Sequence, residues 1–235
     1  VEWRTATAER AGLCSRPGAI ARSRGEPWAY DVWMVDGGRD VPLRPEPYES
    51  VIVPDFLGPG ALEASNADVP QVPGPGSQPP AALAIGATFR KLLDEMDGAA
   101  FREAVEEKFG LDLSQRPTMY TVRGFCRAKD GKIHTDTESK IITVLLYLND
   151  RSWDSSGGRL RLLRSGTDLE DYATEIEPKG GTLLVFKRSD KSWHGHHSYE
   201  GPRRAIQMNW VDSNWTRMTE QMRHKLSTVR KRVGL

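Results

Sequence analysis

Cysteine is nearly absent from this chain: two residues in 235, Cys14 and Cys126, far apart and in no metal-type spacing. That argues against a disulfide scaffold and against a thiolate zinc site, and it fits a reducing compartment, read here as the cytoplasm. Histidine is scarce too, with five in all. No stretch approaches the ~18 consecutive apolar residues of a membrane span, so no membrane partner is expected. An excess of one charge is also missing. The formal net charge is +1, which gives no general steering towards nucleic acid or an anionic bilayer. Residues 1–25 hold five arginines, but also Glu2 and Glu9 and no apolar stretch of the kind a secretory leader needs. No internal repeat is visible.

What is present suits a soluble globular protein: 38% hydrophobic and 28% charged residues in a chain long enough for one substantial core. Residues 1–45 read as an N-terminal extension, rich in Ala, Arg, Gly and Pro, whose composition allows partial disorder. A short hairpin across Asp36-Gly37-Gly38 is the one element expected there. YESVIVPDFL, from Pro47 onward, reads as a strand, and GPGALEASNADV as a helix after Pro59. Residues 69–80 hold five prolines and two glycines, and so form a loop that can continue neither a helix nor a central strand. Phe89, Leu92, Leu93 and Met96, then Phe101, Val105 and Phe109, recur at helical spacing as core-facing stripes, with Gly98 and Gly110 as stops. From Thr118 the period becomes that of strands, expected near 119–127, 140–148, 158–164, 173–177, 181–187, 191–197 and 203–211. Many short strands with polar turns between them indicate a β-barrel or jelly roll, here buttressed by helices. Residues 216–234 read as a packed C-terminal helix with a solvated basic face.

Two constellations carry chemistry. The first is His134-Thr135-Asp136, where residues i and i+2 of a strand share a face. An imidazole and a carboxylate so placed can bind one metal ion, and SWHGHH, residues 192–197, offers a third ligand from another strand. Two histidines and one carboxylate form the facial triad of non-haem Fe(II) oxygenases. The second is GPRRAIQMNW, residues 201–210, in which two arginines open an apolar strand. A buried guanidinium needs an anion, and a bound carboxylate is one partner it can grip through two parallel hydrogen bonds. The alternative is that both arginines lie at a solvated strand end.

HTD, KIITVLLYLND, SGGRLRLL, IEPKGGTLLVFKRSDKSWHGHH and GPRRAIQMNWVD follow one another over about residues 119–212. Together they resemble the prolyl-hydroxylase-type 2-oxoglutarate/Fe(II)-dependent dioxygenases. The resemblance implies a mainly β fold: a double-stranded β-helix (jelly-roll, cupin-like) core flanked by N-terminal helices and a C-terminal helix. A single dioxygenase domain would then span 46–235: strand and supporting helices over 46–118, jelly-roll core over 119–212 and C-terminal helix over 213–235. It implies Fe(II) on His134, Asp136 and His194. It implies 2-oxoglutarate held at its far carboxylate by Arg203, preferred over Arg204, with Tyr147 bonding the same carboxylate and Thr143 and Leu145 lining that pocket. Ascorbate would stimulate turnover. His196 and His197 read as neighbours supporting the ligands or as surface residues. The implied reaction is hydroxylation of an unactivated C–H bond with release of succinate and CO2. The Asp136 carboxylate favours hydroxylation over halogenation and leaves desaturation and epimerisation open.

The substrate is the least specified part. Arg123, Arg127, Lys140, Gln207 and Asn209 are candidate wall residues, and three cations near the mouth would suit an anionic substrate. Equally, they could be charges that guard strand edges. A small molecule, an amino acid or a peptide all fit, and the loops at 69–80 and 150–158 are candidate lids. Two rivals stand beside this reading. One is a non-catalytic jelly roll that binds a metal or a partner. The other is a nucleic-acid-directed demethylase, which would want a basic, aromatic-lined groove. The sequence leaves the oligomeric state open.

Overall fold

The computed structural model describes residues 40–213. The hairpin expected at 36–38, most of the N-terminal extension and the basic C-terminal helix fall outside the described residues. A strand and three helices lead in: β1 (Ser50–Val53), α1 (Pro59–Ala67), α2 (Ala87–Met96) and α3 (Ala99–Phe109). Between α1 and α2 lie a two-residue strand, β2 (Ser77–Gln78), and a single 3-10 turn. Seven strands follow: β3 (Thr118–Cys126), β4 (Lys140–Tyr147), β5 (Leu160–Leu163), β6 (Tyr172–Ile176), β7 (Leu183–Lys187), β8 (His194–Gly195) and β9 (Gly201–Val211).

The helices form where the apolar stripes fall. Phe89, Leu92, Leu93 and Met96 of α2 are buried, as are Phe101, Val105 and Phe109 of α3. Asp68, just past α1, caps α2: its carboxylate accepts the backbone N–H groups of Thr88 at 2.9 Å and Phe89 at 3.0 Å. Gly110, in the left-handed region at φ 63°, stops α3.

The strands make two antiparallel sheets. The larger runs β1-β7-β4-β9-β3-β2 and the smaller β6-β5-β8. Side chains alternate across the larger sheet. Val144, Leu146, Leu183, Val185, Ile206 and Met208 join α2 and α3 in one core cluster. Tyr147, Leu184, Phe186 and Ala205 point the other way and pack with Leu160, Leu162 and Ile176 of the smaller sheet. Helices therefore cover one face, and the facing sheets enclose the other. This is the jelly roll with supporting helices that the sequence leads one to expect.

The structure corrects the expected strands in two places. The strand read at 191–197 shrinks to His194–Gly195, because Ser189 and Ser192 bond each other as a turn, with Ser192 Oγ donating to Ser189 O at 2.7 Å. His134 forms an isolated bridge to His194 and belongs to no longer strand. The proline-rich loop behaves as its composition requires: it pairs with the sheet only at the edge, where Ser77 pairs with Arg123 and Gln78 with Val122, while Val69 and Val72 pack against the core.

Candidate active site

Three cross-strand rows furnish the enclosed face of the larger sheet. Asn209 stands between Thr143 and Met119, Gln207 between Leu145 and Thr121, and Ala205 between Tyr147 and Arg123. Ser77 extends the last row. The segment 131–136 and strand β8 lie opposite.

His134 and His194 face each other as a hydrogen-bonded antiparallel pair, with each backbone N–H donating to the other's carbonyl at 3.0 Å. That pairing sets the ring centroids 4.3 Å apart. Asp136 joins them, and one ligand atom from each of the three lies within 4.8 Å of the others. Both rings donate Nδ1–H to a backbone carbonyl, His134 to Lys132 at 2.8 Å and His194 to Ser192 at 2.9 Å. This fixes the tautomer and leaves each Nε2 with a lone pair for a metal. The Asp136 carboxylate accepts from Lys140 Nζ at 2.7 Å and from Thr143 Oγ1 at 2.6 Å. Two oxygens offer about four acceptor positions, so these bonds leave capacity for a metal.

The electrostatics agree with that donor set. Burial works to raise the Asp136 pKa, but the Lys140 charge, His194 and the two hydrogen bonds overcome it and hold the carboxyl well below the usual range. Burial depresses His194 to about 4 against the pull of Asp136, so its ring is neutral at physiological pH. Two imidazoles and one carboxylate fit a divalent iron better than a structural zinc, which closes four positions and favours thiolate.

Arg203 is buried in the same cavity, and Arg204 is exposed. Arg203 Nε donates to Gly158 O at 2.9 Å and Nη2 to the Tyr147 hydroxyl at 3.4 Å. The guanidinium carbon sits 5.3 Å from the Tyr147 ring centroid. Among the described residues no carboxylate pairs with Arg203. Burial raises the pKa of the Tyr147 phenol, which Arg203 opposes, so the hydroxyl stays protonated. Arg204 turns to the other face, and its backbone N–H donates to Asn149 Oδ1 at 2.6 Å.

The triad, Arg203, Leu145, Gln207 and Arg123 line one cavity of about 130 Å³. Other expected wall residues lie elsewhere. Lys140 is buried against Asp136 and is not at the mouth. Arg127 pairs with Asp130 at 3.6 Å, away from the cavity wall. Asn209 is buried and donates to Thr143 Oγ1 at 2.8 Å, behind Asp136. His197 lies outside, bonded to Glu170 at 2.7 Å. His196, by contrast, is part of the wall: burial and the nearby Arg203 lower it to about 4. Sequence reasoning also missed Ser77, Thr121 and Leu160 in the wall. Parity with Arg123 signalled Thr121, whereas Ser77 carried no sequence signal. The 150–158 loop supports the site at its end, through Gly158 O on Arg203.

The fold and the three donors define a jelly roll built around a two-histidine, one-carboxylate centre. Residues 122–212 match the family model of the 2OG-Fe(II) oxygenase superfamily. No curated protein sequence matches the chain. Among solved structures it is similar to a prolyl-4-hydroxylase from Pseudomonas putida, at 17% identity and a TM-score of 0.51, with 78% of this chain and 99% of that one covered. It is also similar to a prolyl 4-hydroxylase from Phytophthora capsici, at 16% identity and a TM-score of 0.51, over 86% of this chain and 70% of that one. At these identities the likeness is one of fold.

Proposed function

We propose that the protein is an Fe(II)- and 2-oxoglutarate-dependent dioxygenase that hydroxylates an unactivated C–H bond of a small molecule, an amino acid or a peptide. The observation that carries this reading is one cavity holding both a two-histidine, one-carboxylate donor set and a buried arginine that pairs with no carboxylate among the described residues. His134, Asp136 and His194 would hold the metal. Arg203, with Tyr147, would hold the distal carboxylate of 2-oxoglutarate, and Thr143 and Leu145 would form the floor between them.

Fe(II) bound there, with 2-oxoglutarate and O2, supplies the oxidation: R–H + 2-oxoglutarate + O2 gives R–OH + succinate + CO2. The chain's own contribution is positional. The backbone carbonyls of Lys132 and Ser192 hold both imidazoles in the ligating tautomer. Lys140 and Thr143 orient the carboxylate and keep it ionised. Arg203 is itself aimed by Gly158 O and the Tyr147 ring, so its free donors point one way before any ligand arrives. Leu145 and Leu160 add apolar surface to the cavity wall. Ascorbate as a stimulant and a cytoplasmic setting belong to the same proposal. The cytoplasmic setting rests on the low cysteine content and on Cys126 being a free, buried thiol.

The test is succinate formation from 2-oxoglutarate by purified protein with Fe(II) and ascorbate under air. It is paired with the visible charge-transfer band of Fe(II) and 2-oxoglutarate without oxygen. His134→Ala should abolish both signals. Absence of turnover and of the band in the wild-type protein would favour a non-catalytic binding module.

A further inference from the structure

The proposed reaction uses one of the two arginines in the cavity wall. The other, Arg123, is left over, and its surroundings differ from those of a surface charge. It lies on β3, which is not an edge strand, because β2 pairs along it. Shielding a sheet edge therefore does not explain it. It shares the enclosed face with Thr121, and both line the cavity.

Its partners are few and long. Arg123 Nε reaches Ser77 Oγ at 3.4 Å. Nη1 lies 3.6 Å from an Asp130 carboxylate that also serves Arg127 at 3.6 Å, and 3.9 Å from the Cys126 thiol. Nη2 meets no acceptor among the described residues. The side chain is 28% exposed, which puts it at the opening and not behind the wall.

The charges inside the cavity leave it a task. The charged wall residues are Arg123, Arg203 and Asp136, and Asp136 has Lys140 of its own. 2-Oxoglutarate brings two carboxylates, one for the metal end and one for Arg203. With both in place, the guanidinium of Arg123 still faces the cavity, held by Asp130 only at 3.6 Å and shared there with Arg127, so it can take a closer anion. We propose that the substrate is a small carboxylic acid, and that Arg123, backed by Ser77, grips its carboxylate at the β2–β3 side of the cavity. This rests on the dioxygenase reading above. A guanidinium fork matches a carboxylate through two parallel bonds. β2 also bears on the size of the substrate. It is two residues long and flanked by Pro75, Pro79 and Pro80, so this edge gives an extended peptide almost no backbone partners for strand addition. The site suits a compact acid better than a chain.

The experiment is anaerobic calorimetry on full-length protein saturated with Fe(II) and 2-oxoglutarate. The titrants are propionate, benzoate, glycine, N-acetylglycine and proline, each beside its primary amide, with phenyl phosphate as a second oxyanion. At least one acid should bind measurably, and its amide should bind at least about tenfold more weakly, as expected for loss of a charge-assisted pair. Arg123→Gln should weaken that acid by at least about tenfold, Arg123→Lys less so, and Ser77→Ala by a few-fold. Arg127→Gln should leave binding unchanged. The idea is overturned if no acid binds, if amides bind as well as acids, if Arg123→Gln binds as tightly as wild type, or if phenyl phosphate alone binds. The charge-transfer band separates the two claims. Without the band the dioxygenase reading fails. With the band and no contrast between acid and amide, only the carboxylate subsite fails.

Discussion

Lys140 Nζ lies 2.7 Å from Asp136 Oδ1, with the two side chains only 8% and 7% exposed. The pair is four residues apart at the start of β4, and Thr143 fastens the other carboxylate oxygen. The cation thus holds a carboxylate ionised in a place where burial alone would protonate it. A metal on the same carboxylate would do part of the same work.

Lys140→Met should therefore destabilise the metal-free protein strongly, since breaking one side of a buried ion pair costs about 3–5 kcal/mol. In the substituted protein the Asp136 carboxyl keeps only His194 and the Thr143 hydrogen bond against burial, and its pKa should rise. Saturation with Mn(II) should recover part of the loss by supplying positive charge. Urea unfolding with and without Mn(II) measures both effects. An equal loss in the two conditions would detach Lys140 from the metal site.

The adjacent arginines should differ sharply. Arg203 is buried in the cavity and aimed by Gly158 O, and Arg204 is exposed on the opposite face. Arg203→Met should raise the 2-oxoglutarate concentration needed for half-maximal turnover by at least about tenfold, the usual effect of losing a charge-assisted pair. Arg204→Met should change it by less than about twofold. Initial rates of succinate formation against 2-oxoglutarate decide the matter. Similar effects from the two variants would remove Arg203 from its proposed role.

The periodicity of the chain made most strands and both apolar helix stripes legible, because alternating burial leaves its mark on sequence directly. Residue type and spacing pointed to His134, Asp136 and a third donor from residues 192–197, and the family resemblance picked His194, which the structure brings together with the other two. What could not be read was the absolute facing of each strand. Period 2 put Arg203, Gln207 and Asn209 on one side, but only the register of Ala205 opposite Tyr147 and Arg123 says which side is enclosed. Lys140 was misread as a mouth residue for a related reason. Its partner lies before β4 across a turn, and the turn's geometry, with Lys140 N–H donating to Thr137 O at 3.1 Å, has no sequence signature. Ser77 reaches the cavity from a proline-rich loop whose composition identifies a loop but not where it lands.

Gly131 should tolerate no side chain. It sits at φ 87°, and a Cβ there would fall 2.3 Å from the His196 ring. The same glycine's carbonyl accepts the His196 backbone N–H at 2.9 Å, so ring and turn are tied together three residues before His134. Gly131→Ala must strain the backbone, at roughly 1–2 kcal/mol for a left-handed residue, and must also push His196 away. Thermal unfolding should show a lowered midpoint, with weaker metal affinity through displacement of His134. Unchanged values for both would show that the turn yields at no cost.

Acid should destabilise the metal-free protein well before the carboxylates titrate. His194 and His196 are each depressed from 6.5 to about 4 by burial first, with Asp136 opposing in one and Arg203 adding in the other. The unfolded chain takes up a proton on each ring as pH falls through about 6.5, and the folded chain resists until about 4. Stability is therefore full above that window and declines across it, and below it these two groups contribute nothing further. Asp136, with its pKa lowered, adds a second loss that begins as pH falls through the ordinary carboxylate range. Each histidine is worth on the order of 2 kcal/mol across the window, taking 1.36 kcal/mol per pKa unit and discounting for residual hydration. His196→Gln should remove about one proton from the uptake on unfolding, which flattens the slope of stability against pH between about 4 and 6.5. Urea unfolding in a buffer series from pH 4 to 8, in the presence of a chelator, provides the slope. An unchanged slope in His196→Gln would mean that this ring is already hydrated in the folded state.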